Sequence, residues 1–142
     1  MDENFIEEAA KSIKEQRNEE SKMTQLRSEI LSEKIEYEKL VEEMKRVDLS
    51  EKDLEIISEF KESFGVALTR KIGEIKPLLE KEIGMYEKDL SATENNLIKS
   101  SNDEASLTFG VQVDYLNKKI GNLRQEIMDY QNILPRVDTN ES

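Results

Sequence analysis

The chain has no cysteine, no histidine and no tryptophan, and only 2 of its 142 residues are proline. Each gap closes off chemistry. Without Cys there is no disulfide and no thiolate nucleophile or ligand, and without His there is no imidazole base or metal ligand. The Glu-x-x-His pairs that build di-iron centres in helix bundles are excluded with it. Glycine is also sparse, and Gly65, Gly73, Gly84, Gly110 and Gly121 are too scattered to form a phosphate-cradling loop. Long apolar runs are missing: nothing approaches the ~18 consecutive residues a membrane span needs. The opening Met-Asp-Glu-Asn-Phe-Ile-Glu-Glu lacks the basic and apolar regions of a signal peptide. The expectation is an intracellular protein, cytoplasmic or nuclear, with no membrane insertion.

What is there instead is charge. Charged residues make up 37% of the chain against 36% hydrophobic, and the net charge is -11. Both signs are interleaved along the sequence, the pattern of a solvated helix surface. A nucleic acid would require clustered Lys and Arg to displace its counterions, and no long helix carries such a stripe. No nucleic acid and no anionic membrane is expected as a partner.

Apolar residues recur at steps of three and four nearly everywhere, which predicts an all-α chain of three long helices. Two polar breaks interrupt them. At Val47-Asp48-Leu49-Ser50, Ser50 can cap a new helix, with Asp53 completing an approximate capping box. At Lys99-Ser100-Ser101-Asn102-Asp103-Glu104, Ser101 and Glu104 repeat that logic. The predicted helices run over about 3–47, 51–98 and 103–134, with a kink near Pro77, an end at Pro135 and a flexible tail over 135–142. At roughly 1.5 Å per residue the first two are on the order of 70 Å long. The whole chain is expected to form a single helical rod.

The third helix carries an unbroken heptad seam of Phe109, Val113, Leu116, Ile120, Leu123, Ile127, Tyr130 and Leu134. Read backwards, the second helix answers with Leu97, Thr93, Leu90, Tyr86, Ile83 and Leu79, then Ile75 and Ile72. Positions facing across an antiparallel hairpin have residue numbers that add to a constant. Leu97 with Phe109, Leu90 with Leu116, Ile83 with Leu123 and Ile72 with Leu134 all meet that condition, and centre the turn on Asp103. The same test on the first two helices pairs Met44 with Leu54, Ile30 with Leu68, Leu26 with Ile72 and Met23 with Ile75. That register leaves imperfect layers, because Tyr37 faces Lys61 and Lys34 faces Phe64. The predicted architecture is therefore elongated antiparallel coiled-coil hairpins, with a short three-helix overlap around Ile72 and Ile75. One stretch also fits another pattern: Leu107, Phe109, Val111, Val113 and Tyr115 alternate with Thr108, Gly110, Gln112 and Asp114, as in a strand. Helix is favoured there because Phe109 and Val113 stay in phase with the heptads that follow.

Apolar residues remain after the seams are filled. Leu107, Val111 and Tyr115 widen the face at the start of the third helix, and Ile56, Phe60 and Val66 do so early in the second. Phe5, Ile6, Ala9, Ala10 and Ile13 form a patch near the N-terminus, separated from the main seam by the polar segment Lys14–Lys22. These surpluses point to partner chains. No catalytic, cofactor or metal site and no small-molecule ligand is expected. Adjacent carboxylates such as Glu42 and Glu43, or Glu19 and Glu20, do not converge on one point of a helix. Asn102-Asp103-Glu104 lacks the spacing of a calcium loop, and Tyr86 and Tyr130 fall on the seam.

The function expected from these patterns is non-enzymatic: a structural or scaffolding coiled-coil subunit that mediates protein–protein assembly, as homo- or hetero-oligomer, in a larger intracellular complex. Cytoskeletal, spindle or kinetochore, and tethering assemblies all use such chains. The alternative is a prefoldin-like coiled-coil holdase chaperone, motivated by the alternating run in 107–115.

Overall fold

A computed structural model describes the backbone of residues 2–100 and 102–139, and side-chain surroundings for 4–100 and 102–134. These residues form α1 (Asp2–Glu43), α2 (Glu51–Lys99) and α3 (Asp103–Thr139), with no strand among them. No described residue has a cis peptide bond or a positive φ. The turns are therefore built without left-handed glycine caps, by tightened last turns and side-chain caps.

Helix α1 stops at Glu43, short of the expected 47. Its last turn tightens: the Lys45 and Arg46 amides donate to the carbonyls of Glu42 and Glu43 at 3.1 Å, three residues back instead of four. The Arg46 guanidinium holds this geometry by reaching both Asp48, at 2.8 Å, and Glu43, at 3.1 Å. Its donation to Asp48 keeps that carboxyl below its ordinary pKa. Ser50 then starts α2 as expected, its Oγ accepting the Asp53 amide at 3.1 Å.

Asn102, not Ser101, opens α3. Its Oδ1 accepts the Ala105 amide at 2.8 Å and its carbonyl accepts the Ser106 amide at 3.1 Å. Ser101 itself lies outside the described residues. Asn serves as well as Ser at this position, and its one-residue shift sets the helix start at Asp103. Ser106 Oγ donates to Ser100 Oγ at 3.1 Å, tying the two ends of the turn together.

Residues 107–115 are helical. The β-branched Thr108 is accommodated by donating its hydroxyl to the Glu104 carbonyl one turn back, at 3.0 Å. The strand alternative is set aside for that run. Pro135 does not end α3, which continues to Thr139. A proline removes one amide donor and crowds one carbonyl, but the residues after it still find acceptors, so a helix can pass through. The same holds for Pro77, which lies inside an unbroken α2. Of the tail expected over 135–142, the part through Thr139 belongs to α3 and residues 140–142 lie outside the described residues.

The chain divides into two compact units, the first built on Met1–Ile75 and Val137–Ser142, the second on Lys76–Arg136. In the first, α1 buries Met23, Leu26, Ile30 and Tyr37, and α2 buries Leu68, Ile72 and Ile75. Leu68 and Ile75 have no exposed surface at all. The Lys61 ammonium of α2 stands 5.9 Å from the Tyr37 ring centre, and Lys71 of α2 reaches Glu29 and Glu33 of α1. In the second unit the core is Leu79 and Ile83 of α2 with Leu116, Ile120 and Leu123 of α3. Burying a Leu or Ile side chain contributes about 1.5–3 kcal/mol, so these clusters supply most of each unit's stability.

Candidate functional site

The seam residues divide by depth. Leu79, Ile83, Leu116, Ile120 and Leu123 are buried, whereas Tyr86, Leu90, Leu97, Phe109, Val113, Ile127, Tyr130 and Leu134 are half-buried. Burial in the second unit is thus deepest at Leu79 and Ile83 of α2 and Leu116–Leu123 of α3; it thins toward the turn at Ser100–Asn102 and, on α3, also toward Leu134. The Arg124 guanidinium of α3 lies 3.6 Å from the Glu87 carboxylate of α2. Both side chains are more than half exposed, so the pair adds little stability.

The eight apolar residues singled out for partner contact are all exposed. On α1 these are Phe5, Ile6 and Ile13; on α2, Ile56 and Phe60; on α3, Leu107, Val111 and Tyr115. Exposure ranges from 44% at Ile56 to 72% at Phe5 and Leu107, far from the burial that a core role would require. Leu107, Val111 and Tyr115 follow one another at four-residue steps and share a face of α3. The Lys119 ammonium sits 5.9 Å from the centre of the Tyr115 ring, leaving one charged edge to that face. Ile56 and Phe60 are likewise one turn apart. Close by on α2, Glu59, Glu62, Ser63, Val66, Ala67 and Arg70 line a shallow hollow open to solvent.

Further exposed apolar residues escaped the sequence reading. Leu31 and Ile35 of α1 are 59% and 44% exposed, one turn apart. Met85 and Met128 are also exposed. For Leu31 and Ile35 the signal was their four-residue step, masked by Ile30, which is buried on the adjacent face.

A polar cluster between α1 and α2 was also missed. The Lys71 ammonium lies 3.4 Å from a Glu29 oxygen and still closer to Glu33, and the Lys71 and Glu33 side chains are only 16% and 18% exposed. Donation to Glu33 raises the Lys71 pKa, with the nearby negative charges adding to it. Glu29 is lowered, first by a hydrogen bond from the Gln25 amide at 3.0 Å and then by the Lys71 charge. The second Glu33 oxygen is buried without a hydrogen-bond partner. This is an ion cluster inside a helix contact.

The remaining candidates for chemistry are accounted for by their neighbours. Glu42 pairs with Lys45 at 3.0 Å and Glu43 with Arg46 at 3.1 Å, both in solvent. The half-buried Tyr130 donates its hydroxyl to Glu126 at 2.8 Å. Among the described residues no three acidic, His or Cys side chains are grouped to hold a metal ion, and no helix is long and apolar enough to cross a membrane. No protein-family model, curated protein or solved structure matches the chain.

Proposed function

We propose that this chain is a non-enzymatic coiled-coil scaffold, each of its two units an antiparallel helical hairpin, which joins partner chains through the apolar faces left uncovered. For the first unit, the hairpin reading is supported by Lys61 against Tyr37 and Lys71 against Glu29 and Glu33. Position numbers fall along α1 as they rise along α2. For the second unit, the support is the burial of Leu79, Ile83, Leu116, Ile120 and Leu123, with Glu87 near Arg124. A hairpin of two helices uses one stripe of each and leaves the others to water or to company.

The observation that carries the functional reading is the exposure of Phe60 and Tyr115, at 57% and 56%, beside other exposed apolar residues on the same helix faces. Scattered exposed apolar residues are ordinary in soluble proteins, but rows at helical spacing mark interaction faces. Affinity capture from the native cell tests this. Wild-type bait should retain specific partner chains, and Phe60→Asp or Tyr115→Asp should lose them without a change in melting temperature. Retention of the same partners by both variants would refute the assignment. The holdase alternative drew its support from a strand in 107–115, and that run is helical.

A further inference from the structure

Among the described residues, the stretch of α1 from Asn4 to Asn18 is the longest without a covered side chain. Every residue from Asn4 to Asn18 is exposed, and the first buried side chain on α1 is Met23. The helix is continuous through this arm, so its nucleation is met by the packed part beyond Met23. Its apolar stripe, however, has nothing over it. At 100° per residue, Phe5, Ala9 and Ile13 form a row with Ile6 and Ala10 beside it, an arc of roughly 140°.

The charges along the arm are biased in the direction of the axis. Glu7 and Glu8 lie on the near side of Ala9 and Ala10; Lys11, Lys14 and Arg17 lie on the far side, where Glu15 is outnumbered by them. Glu7, Lys11 and Lys14 also fall on one flank of the stripe by helical spacing. Two such arms laid side by side in the same direction would set acid beside acid and base beside base. Laid antiparallel about Ala9, they set Phe5 against Ile13 and Glu7 against Lys11 and Lys14 of the other copy, twice over by symmetry. The two alanines at the crossing let the backbones approach closely.

We infer that the arm is an isologous dimerisation element whose occupant is the same segment of a second copy of this chain. This rests on the scaffold reading and supplies the partner for one of its faces. A self-complementary patch is what a two-fold axis demands. The contact spans only about 12 Å of helix, far short of the ~1,600 Å² of a standard interface. The dimer is therefore weak, of micromolar affinity or weaker, and loosened by salt because charge pairs flank it.

Sedimentation equilibrium of the full chain across a wide concentration range should show a reversible monomer–dimer equilibrium that weakens as salt rises. Ile6→Glu with Ile13→Glu should leave a monomer with unchanged helicity and melting, since both side chains are exposed within the chain. Charge reversal gives the orientation: E7K/E8K and K11E/K14E chains should each associate more weakly than wild type, and should regain dimer when mixed. The chain has no cysteine of its own, so Ala9→Cys should join to itself with a short bismaleimide, whereas Phe5→Cys should join only when mixed with Ile13→Cys. A chain that stays monomeric at all concentrations overturns the inference. So does a dimer indifferent to Ile6→Glu/Ile13→Glu, or one in which Phe5→Cys joins to itself as readily as Ala9→Cys. A monomer that still captures another protein through Phe60 or Tyr115 would sink the dimer and leave the scaffold reading in place.

Discussion

The Lys61 ammonium stands 5.9 Å from the centre of the Tyr37 ring, so a lysine and a tyrosine share a layer between α1 and α2 that hydrocarbon occupies elsewhere. Tyr37 is only 6% exposed, and the negative face of its ring gives the cation a favourable neighbour in a partly desolvated place. A lysine with its stem along the apolar surface and its head over a ring fills the layer about as well as a leucine would.

Replacing Lys61 by Met keeps the stem and removes the charge. A double-mutant cycle combining Lys61→Met with Tyr37→Leu should give a coupling of about 0.5–1 kcal/mol. Urea unfolding monitored by circular dichroism measures it, and additivity within error would deny the interaction any weight.

Lys71→Met leaves Glu33 with an almost buried carboxylate and no counterion. The first unit should lose about 1–3 kcal/mol, and adding Glu33→Gln to the same chain should recover most of it. Chemical denaturation of the three proteins decides between this and a decorative surface pair, for which all three would coincide.

The same cluster sets a pH window. Glu29 is lowered, so its contribution is present above the ordinary glutamate range and is lost as pH falls through its folded value. Lys71 is raised, so its contribution is present below the ordinary lysine range and is lost as pH rises through its folded value. The stability difference between wild type and Lys71→Met should therefore be largest near neutral pH and shrink at both extremes. A difference that stayed flat from acid to alkali would contradict the assignment.

Asn102→Ala removes the acceptor for the Ala105 amide and should cost about 0.5–2 kcal/mol, while Asn102→Asp should cost little. Leu116→Asp should cost far more than either, since it puts an unpaired charge where only 8% of the side chain meets water. Thermal melts that ranked these three otherwise would place the start of α3 or its buried face wrongly.

Much of this helical architecture was legible in the spacing of its apolar residues, and the misreadings have local causes. Three-and-four spacing locates helices because it reports which side of a cylinder is oily. It says nothing of where the last hydrogen bonds go. Helix α1 therefore stopped at Glu43, where Arg46 draws the chain onto Glu43 and Asp48, although Met44 and Val47 continue the apolar rhythm. Pro135 reads as a stop because proline is a poor helix residue, yet a single lost donor does not forbid the turn beyond it. Asn102 was overlooked beside Ser101 because both are good caps and only geometry chooses between them. The Lys71 cluster was invisible for another reason. Its partners Glu29 and Glu33 are 42 and 38 positions away, and one lysine among many carries no mark of the carboxylates it will meet. The exposed faces were readable as surplus, since residues such as Phe60 and Tyr115 fell outside every seam that could be drawn.

The thinning of burial along the second unit has a consequence for how that unit breathes. Described backbone amides between Leu97 and Phe109 are guarded by half-covered or exposed side chains and the Asn102 cap, whereas those near Ile120 sit behind side chains shut off from water. Small openings will start at the Ser100–Asn102 end and run inward, so deuterium should enter there first and reach Leu116–Leu123 last.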